Sequence, residues 1–131
     1  MTALVLDAGA LIALDQNDRA VWAMLRVGNE RGDIIYVPAG AIAQAWRDGR
    51  RQALLARALR HCDEVALDGH LARAAGLLCG QLGTADIVDA SIAVTAAGAS
   101  HQGDVALLTS DGGDLRRMLD HLGADVRIIP V

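Results

Sequence analysis

Three aspartates stand where a carboxylate can do more than solvate a surface. Asp7 directly follows the apolar run Ala3–Leu6, and Asp111 follows the run Val105–Thr109 across Ser110. Both runs read as strands. Asp86 and Asp89 are three residues apart at the start of a helical pattern, so at ~100° per residue they share one face. Beyond Ser91 that pattern is nearly all apolar or small, which marks a buried helix. An ionised carboxylate there is costly unless paired or metal-bound. A helix-start role exploiting the dipole suits Asp86 better than Asp89, so Asp89 is the informative residue. Carboxylates that converge raise one another's pKa, and a hard divalent cation relieves the repulsion. Oxygen ligands with few or no His or Cys select Mg2+ or Mn2+ over Zn2+. An open all-carboxylate site of that kind suits phosphodiester hydrolysis.

Convergence requires elements that bring these segments to one place. Ala3–Leu6, 34–37, 64–67, Val105–Thr109 and 126–129 read as strands. Helical patterns cover 9–14, 18–29, 39–47, 50–61, Gly69–Leu82, 85–97 and 113–122, with Asp68 and Thr84 as caps for the helices at Gly69 and Ala85. The alternation predicts an α/β fold, a mostly parallel five-stranded sheet covered on both faces. If the first three strands step outward from strand one and the last two step the other way, strands one and four are neighbours. Asp7 and Asp111 then lie side by side at the sheet edge where open α/β folds bind ligands.

Composition narrows the chemistry. The chain has 131 residues, against roughly 100–200 per domain, and shows no repeat or linker, so 1–131 reads as one domain. All 12 basic residues are Arg. Without Lys there is no Schiff base, no Walker A phosphate loop and no Lys-assisted phosphoaspartate receiver site. Of 16 acidic residues only Glu30 and Glu64 are Glu. A net charge of −4 argues against holding DNA by bulk electrostatics, but a nuclease can import its positive charge as metal ions. No secretory leader or apolar stretch of membrane length occurs, so a cytoplasmic protein with no membrane contact is expected, with Cys62 and Cys79 as reduced core residues.

The stretches Leu4-Val5-Leu6-Asp7-Ala8-Gly9-Ala10-Leu11-Ile12-Ala13-Leu14, Asp86-Ile87-Val88-Asp89-Ala90-Ser91-Ile92-Ala93 and Leu107-Leu108-Thr109-Ser110-Asp111-Gly112-Gly113-Asp114-Leu115 resemble, in order and spacing, the three acidic motifs of PIN domains, most closely the VapC-type ribonuclease toxins of bacterial toxin–antitoxin pairs. The resemblance covers essentially the whole chain. It implies a three-layer α/β/α sandwich and a metal-dependent endoribonuclease, commonly a homodimer, silenced by a cognate antitoxin. By position, Asp7, Asp89 and Asp111 form the acidic cluster, with Asp86 and Asp114 supporting it or holding metal-bound water. Thr109 or Ser110 is expected to orient a carboxylate.

One position departs from the pattern. The family usually carries Glu on the helix after strand two, and here that position is Gln44. Its amide oxygen can accept a hydrogen bond or ligate, but it carries no charge and cannot act as a base. Asp48, one turn on, compensates only if that helix continues past Arg47. Two readings therefore stay open: an active endoribonuclease, or a PIN-like module that acts by binding RNA or antitoxin. Arg47, Arg50 and Arg51, with Arg57 and Arg60, concentrate positive charge beside Gln44, where they could grip RNA phosphates or an acidic antitoxin segment. Trp22, Trp46 and Tyr36 are too scattered for a base-stacking platform, and the tryptophans suit a core or a partner groove. The four His residues share no metal spacing with the aspartates.

Overall fold

The computed structural model describes residues 2–131. Strand β1 (Ala3–Leu6) is followed by helices α1 (Ala8–Asp15) and α2 (Arg19–Glu30), then by β2 (Ile34–Pro38). Helices α3 (Ala39–Ala45) and α4 (Ala53–Leu59) flank a single 3-10 turn (Gly49–Arg51) and lead to β3 (Asp63–Val65). Helices α5 (Gly69–Leu82) and α6 (Ile87–Ser100) precede β4 (Val105–Thr109), and α7 (Gly112–His121) precedes β5 (Arg127–Pro130).

The strands order as β3-β2-β1-β4-β5. Every pairing is parallel, where a mostly parallel sheet was expected. The two central strands, β1 and β4, are buried along their whole length, as continuous apolar runs must be when helices cover both faces. Helices α1 to α4 pack with one another as one layer, and α5 to α7 as the other. Each helix turns its periodic apolar side inward: Val21, Leu25 and Gly28 on α2, Ala75, Leu78 and Cys79 on α5, and Leu115, Met118 and Leu119 on α7. Helix α5 ends on Gly83, whose φ of +69° closes the last turn in the left-handed conformation that glycine adopts without penalty. No single helix among the described residues is long and apolar enough to cross a membrane.

Several boundaries differ by one to three residues from those expected, and two of the differences have a plain local cause. The helix after β2 stops at Ala45 rather than Arg47 because Trp46 turns extended, at φ −77° and ψ 124°. The amides of Arg47 and Asp48 donate instead to Oε1 of the buried Gln52, at 2.7 and 2.9 Å. The Gln52 amide nitrogen donates in turn to Ala45 O at 2.9 Å and Asp15 Oδ2 at 3.2 Å. One glutamine side chain thus replaces a helical turn and breaks the expected 50–61 helix into a 3-10 turn and α4. The helix expected to begin at Ala85 under a Thr84 cap begins at Ile87 under Asp86, whose Oδ1 accepts from Asp89 N at 3.0 Å. Thr84 Oγ1 accepts from Asp86 N at 3.2 Å, so both polar residues are used, one step apart. Strand β3 lies one residue earlier than expected and is shorter.

Candidate metal centre

Because β1 and β4 pair in register through Leu6 and Leu108, their next residues reach the same edge, the point at which the sheet changes winding direction. Asp7 N donates to Leu108 O at 3.1 Å. The Asp7 side chain is buried and caps α1, its Oδ1 accepting from Ala10 N at 2.9 Å. Its Oδ2 accepts from the Thr109 hydroxyl and, at 3.3 Å, from Ser110 N. The same hydroxyl accepts from Asp111 N at 2.8 Å. Thr109 is buried, and it links the carboxylate after β1 to the backbone of the aspartate after β4. Both residues expected to orient a carboxylate do so for Asp7, Thr109 by side chain and Ser110 by backbone.

Helix α6 runs back across the sheet toward β4, so its N-terminus lies at this same edge and delivers Asp89 in its first turn. Helix α7 delivers Asp114 in its own first turn, while Asp111, at the N-cap position, makes no side-chain capping bond. Asp89, Asp111 and Asp114 each offer a carboxylate oxygen, and these three oxygens lie within 4.8 Å of one another. Asp89 is buried, and the other two are exposed. Its carboxyl is pushed up to about 7, first by burial, then by the negative charge of Asp86 and by the neighbouring carboxylate of Asp111. Three like charges are gathered around one buried carboxyl, and a proton partly neutralises them.

Of the residues expected at the site, Asp89, Asp111 and Asp114 come together as this trio. Asp7 stands beside it, joined through Thr109, and Asp86 borders it through the Asp89 amide. All candidate donors are hard oxygens. An octahedral Mg2+ with oxygens at 2.0–2.1 Å spans about 4.2 Å between opposite ligands, so small side-chain rotations would let the trio hold one. The residues present therefore fit a hard divalent cation.

Gln44 is exposed on α3, one turn after Gly40, and residues four apart share a helix face. That face meets α6: a Cβ on Gly40 would stand 3.3 Å from Val88 Cγ2, next to Asp89 in sequence. Asp48 does not supply the missing carboxylate. With α3 ended at Ala45, it caps the 3-10 turn, accepting from Arg50 N at 3.2 Å, and lies 3.7 Å from the guanidinium Nε of both Arg50 and Arg51. Arg47 closes α3, its Nη1 donating to Ala43 O and Trp46 O at 2.9 and 2.8 Å. Arg57 lies 5.7 Å above the Trp22 ring, while Trp22 Nε1 donates to Leu14 O at 3.0 Å. Trp22 is thus tied to its own fold. Trp46 is 40% exposed and lines an open groove of 970 Å³ with Ile42, Leu59, Arg60, Asp63 and Glu64. Cys62 at its base donates to Ala58 O, and its thiol is pushed up to about 12, chiefly by burial and then by Asp63 and Glu64. Both cysteines are free thiols.

Two residues that set the local backbone were not singled out in the sequence. Gln52 lacks any motif. Gly9 follows the capping Asp7 inside α1, and a glycine in a first helical turn next to a candidate ligand was the available clue.

No family model matches the sequence, and no curated protein matches it. Its fold is nonetheless shared with a solved structure, the crystal structure of VapBC2 from Rickettsia felis bound to a DNA fragment from their promoter. That structure aligns with a TM-score of 0.66 over 100% of this chain and 99% of that chain, at 13% identity. The fold is the three-layer α/β/α sandwich that the resemblance to PIN domains implies.

Proposed function

We propose that the chain is a divalent-metal-dependent endoribonuclease, the toxin of a bacterial toxin–antitoxin pair, which hydrolyses RNA phosphodiester bonds. The observation that carries the reading is the convergence of Asp89, Asp111 and Asp114 around a buried carboxyl at the winding point of the sheet. These three residues would hold Mg2+ or Mn2+, with Asp7 and Asp86 adding negative charge and orientation. A cation bound there would acidify a water and offset charge developing on the phosphate. Asp89 would give up its shared proton as the cation binds, and Asp7, anchored at both oxygens, would keep the β4–α7 turn in place. Arg47, Arg50 and Arg51 would contact RNA phosphates, since the guanidiniums of Arg50 and Arg51 remain largely exposed. A cognate antitoxin would lay an apolar segment in the Trp46 groove. A homodimer in the cytoplasm completes the reading.

The test is cleavage of an RNA panel with Mg2+ or Mn2+ by the chain and by Asp7→Asn, Asp89→Asn and Asp111→Asn. Metal-dependent cutting lost in the variants is expected, and activity surviving all three substitutions would refute the assignment.

One observation favours a second reading, a PIN-like module that binds RNA or antitoxin without cutting. Gln44 carries no charge, and Asp48 is engaged by Arg50 and Arg51 rather than free to replace it. If the chain binds no divalent ion and cuts nothing while Gln44→Glu gains both, this second reading holds.

A further inference from the structure

We propose that Gly9 is a positioning residue for Asp111, because the absence of a side chain at position 9 makes the space in which Ser110 sits. The inference rests on the metal reading above. Gly9 is the second residue of α1 and has no left-handed φ, so nothing in its own conformation calls for glycine. Within a helix glycine is less favourable than alanine. What explains it is its neighbour: a Cβ on Gly9 would fall well inside contact distance of Ser110 Oγ, 2.6 Å from Ser110 Cβ and 3.1 Å from Ser110 N. Rotating the Ser110 hydroxyl away would not clear the Cβ clash, so the backbone would have to move.

That backbone is part of the site. Ser110 N donates to Asp7 Oδ2 at 3.3 Å and Asp111 N to Thr109 Oγ1 at 2.8 Å, and the next side chain is Asp111, whose oxygen belongs to the acidic trio. Pushing Ser110 off α1 therefore loosens both hydrogen bonds and shifts Asp111 relative to Asp89. Gly76 on α5 serves as the contrast, since a Cβ there would meet nothing within 4 Å.

The experiment measures Mn2+ affinity by calorimetry, together with hydrogen exchange of the Ser110 and Asp111 amides, in a graded series. Gly9→Ala is expected to weaken Mn2+ binding about 10–100-fold, as loss of a partner that orients a ligand does, and to speed exchange at both amides. Adding Ser110→Ala should recover only part, because the 2.6 Å contact with Ser110 Cβ persists. Adding Ser110→Gly removes that contact and should return both readouts to those of Ser110→Gly alone, which also answers any folding defect of Gly9→Ala. Gly76→Ala should change neither. Unchanged Mn2+ affinity in Gly9→Ala, or a loss that Ser110→Gly does not reverse, overturns the inference while leaving the metal reading intact. Absence of Mn2+ binding by the unaltered chain overturns the metal reading and leaves Gly9 no ligand to position, so the two failures are told apart.

Discussion

Asp48 and Asp89 are both aspartates at the start of a helical turn, yet their surroundings give them opposite chemistry. Asp48 is satisfied by the Arg50 amide and by two guanidiniums in solvent. Its charge is compensated, and such exposed pairs contribute little. Asp89 is buried, bordered by Asp86, Asp111 and Asp114, and its carboxyl is raised to about 7. Asp7 stands between these cases, being buried but supplied with donors at both oxygens. A carboxylate with its own donors is held in place by the protein, whereas carboxylates facing one another need a cation or a proton from outside.

The largest expected effect breaks this contrast at Asp89. Asp89→Asn should lower metal-dependent RNA cleavage by at least ~10²-fold and Mn2+ affinity with it, whereas Asp48→Asn should leave both unchanged in the same assays. Next comes Thr109→Val, which leaves Asp111 N without its acceptor and Asp7 Oδ2 with one donor fewer. Chemical denaturation should show a loss of ~1–3 kcal/mol, the usual cost of unsatisfied buried groups.

A third effect concerns pH. Folded Asp89 keeps its proton up to about pH 7, whereas its ordinary value is 3.8, so between those values the folded state binds more protons than the unfolded one. Stability without metal is therefore full at the acidic end of that window and falls as pH rises through it. Denaturation midpoints measured across the window should show this slope, Asp89→Asn should flatten it, and saturating Mg2+ should offset it at neutral pH. The smallest effect is at the arginines. Arg50→Ala or Arg51→Ala should leave stability within about 0.5 kcal/mol and lower the salt slope of RNA binding by about 1.

Much of this was legible in the sequence for a physical reason. Parallel central strands must be apolar on both faces, so Ala3–Leu6 and Val105–Thr109 announce themselves, and the alternation with helices then implies a parallel sheet, whose order the structure supplies. The burial of Asp89 could be read from the apolar helix that follows it. What escaped was set by contacts between segments distant in the chain. The end of α3 is decided by Gln52 reaching back to Arg47 and Asp48, so the hope that Asp48 replaces an acid at Gln44 fails on a residue with no motif. Gly9 matters only because Ser110, 101 positions later in the chain, rests against it.

The central claim is that Asp89, Asp111 and Asp114 make a divalent-cation site, whereas Asp48, paired with Arg50 and Arg51, does not. Titration of Mn2+ into the chain, into Asp89→Asn and into Asp48→Asn, followed by calorimetry at neutral pH, tests it most directly. Saturable binding in the chain and in Asp48→Asn, lost in Asp89→Asn, is the predicted result. Binding that is absent from the chain, or that survives Asp89→Asn undiminished, would contradict it.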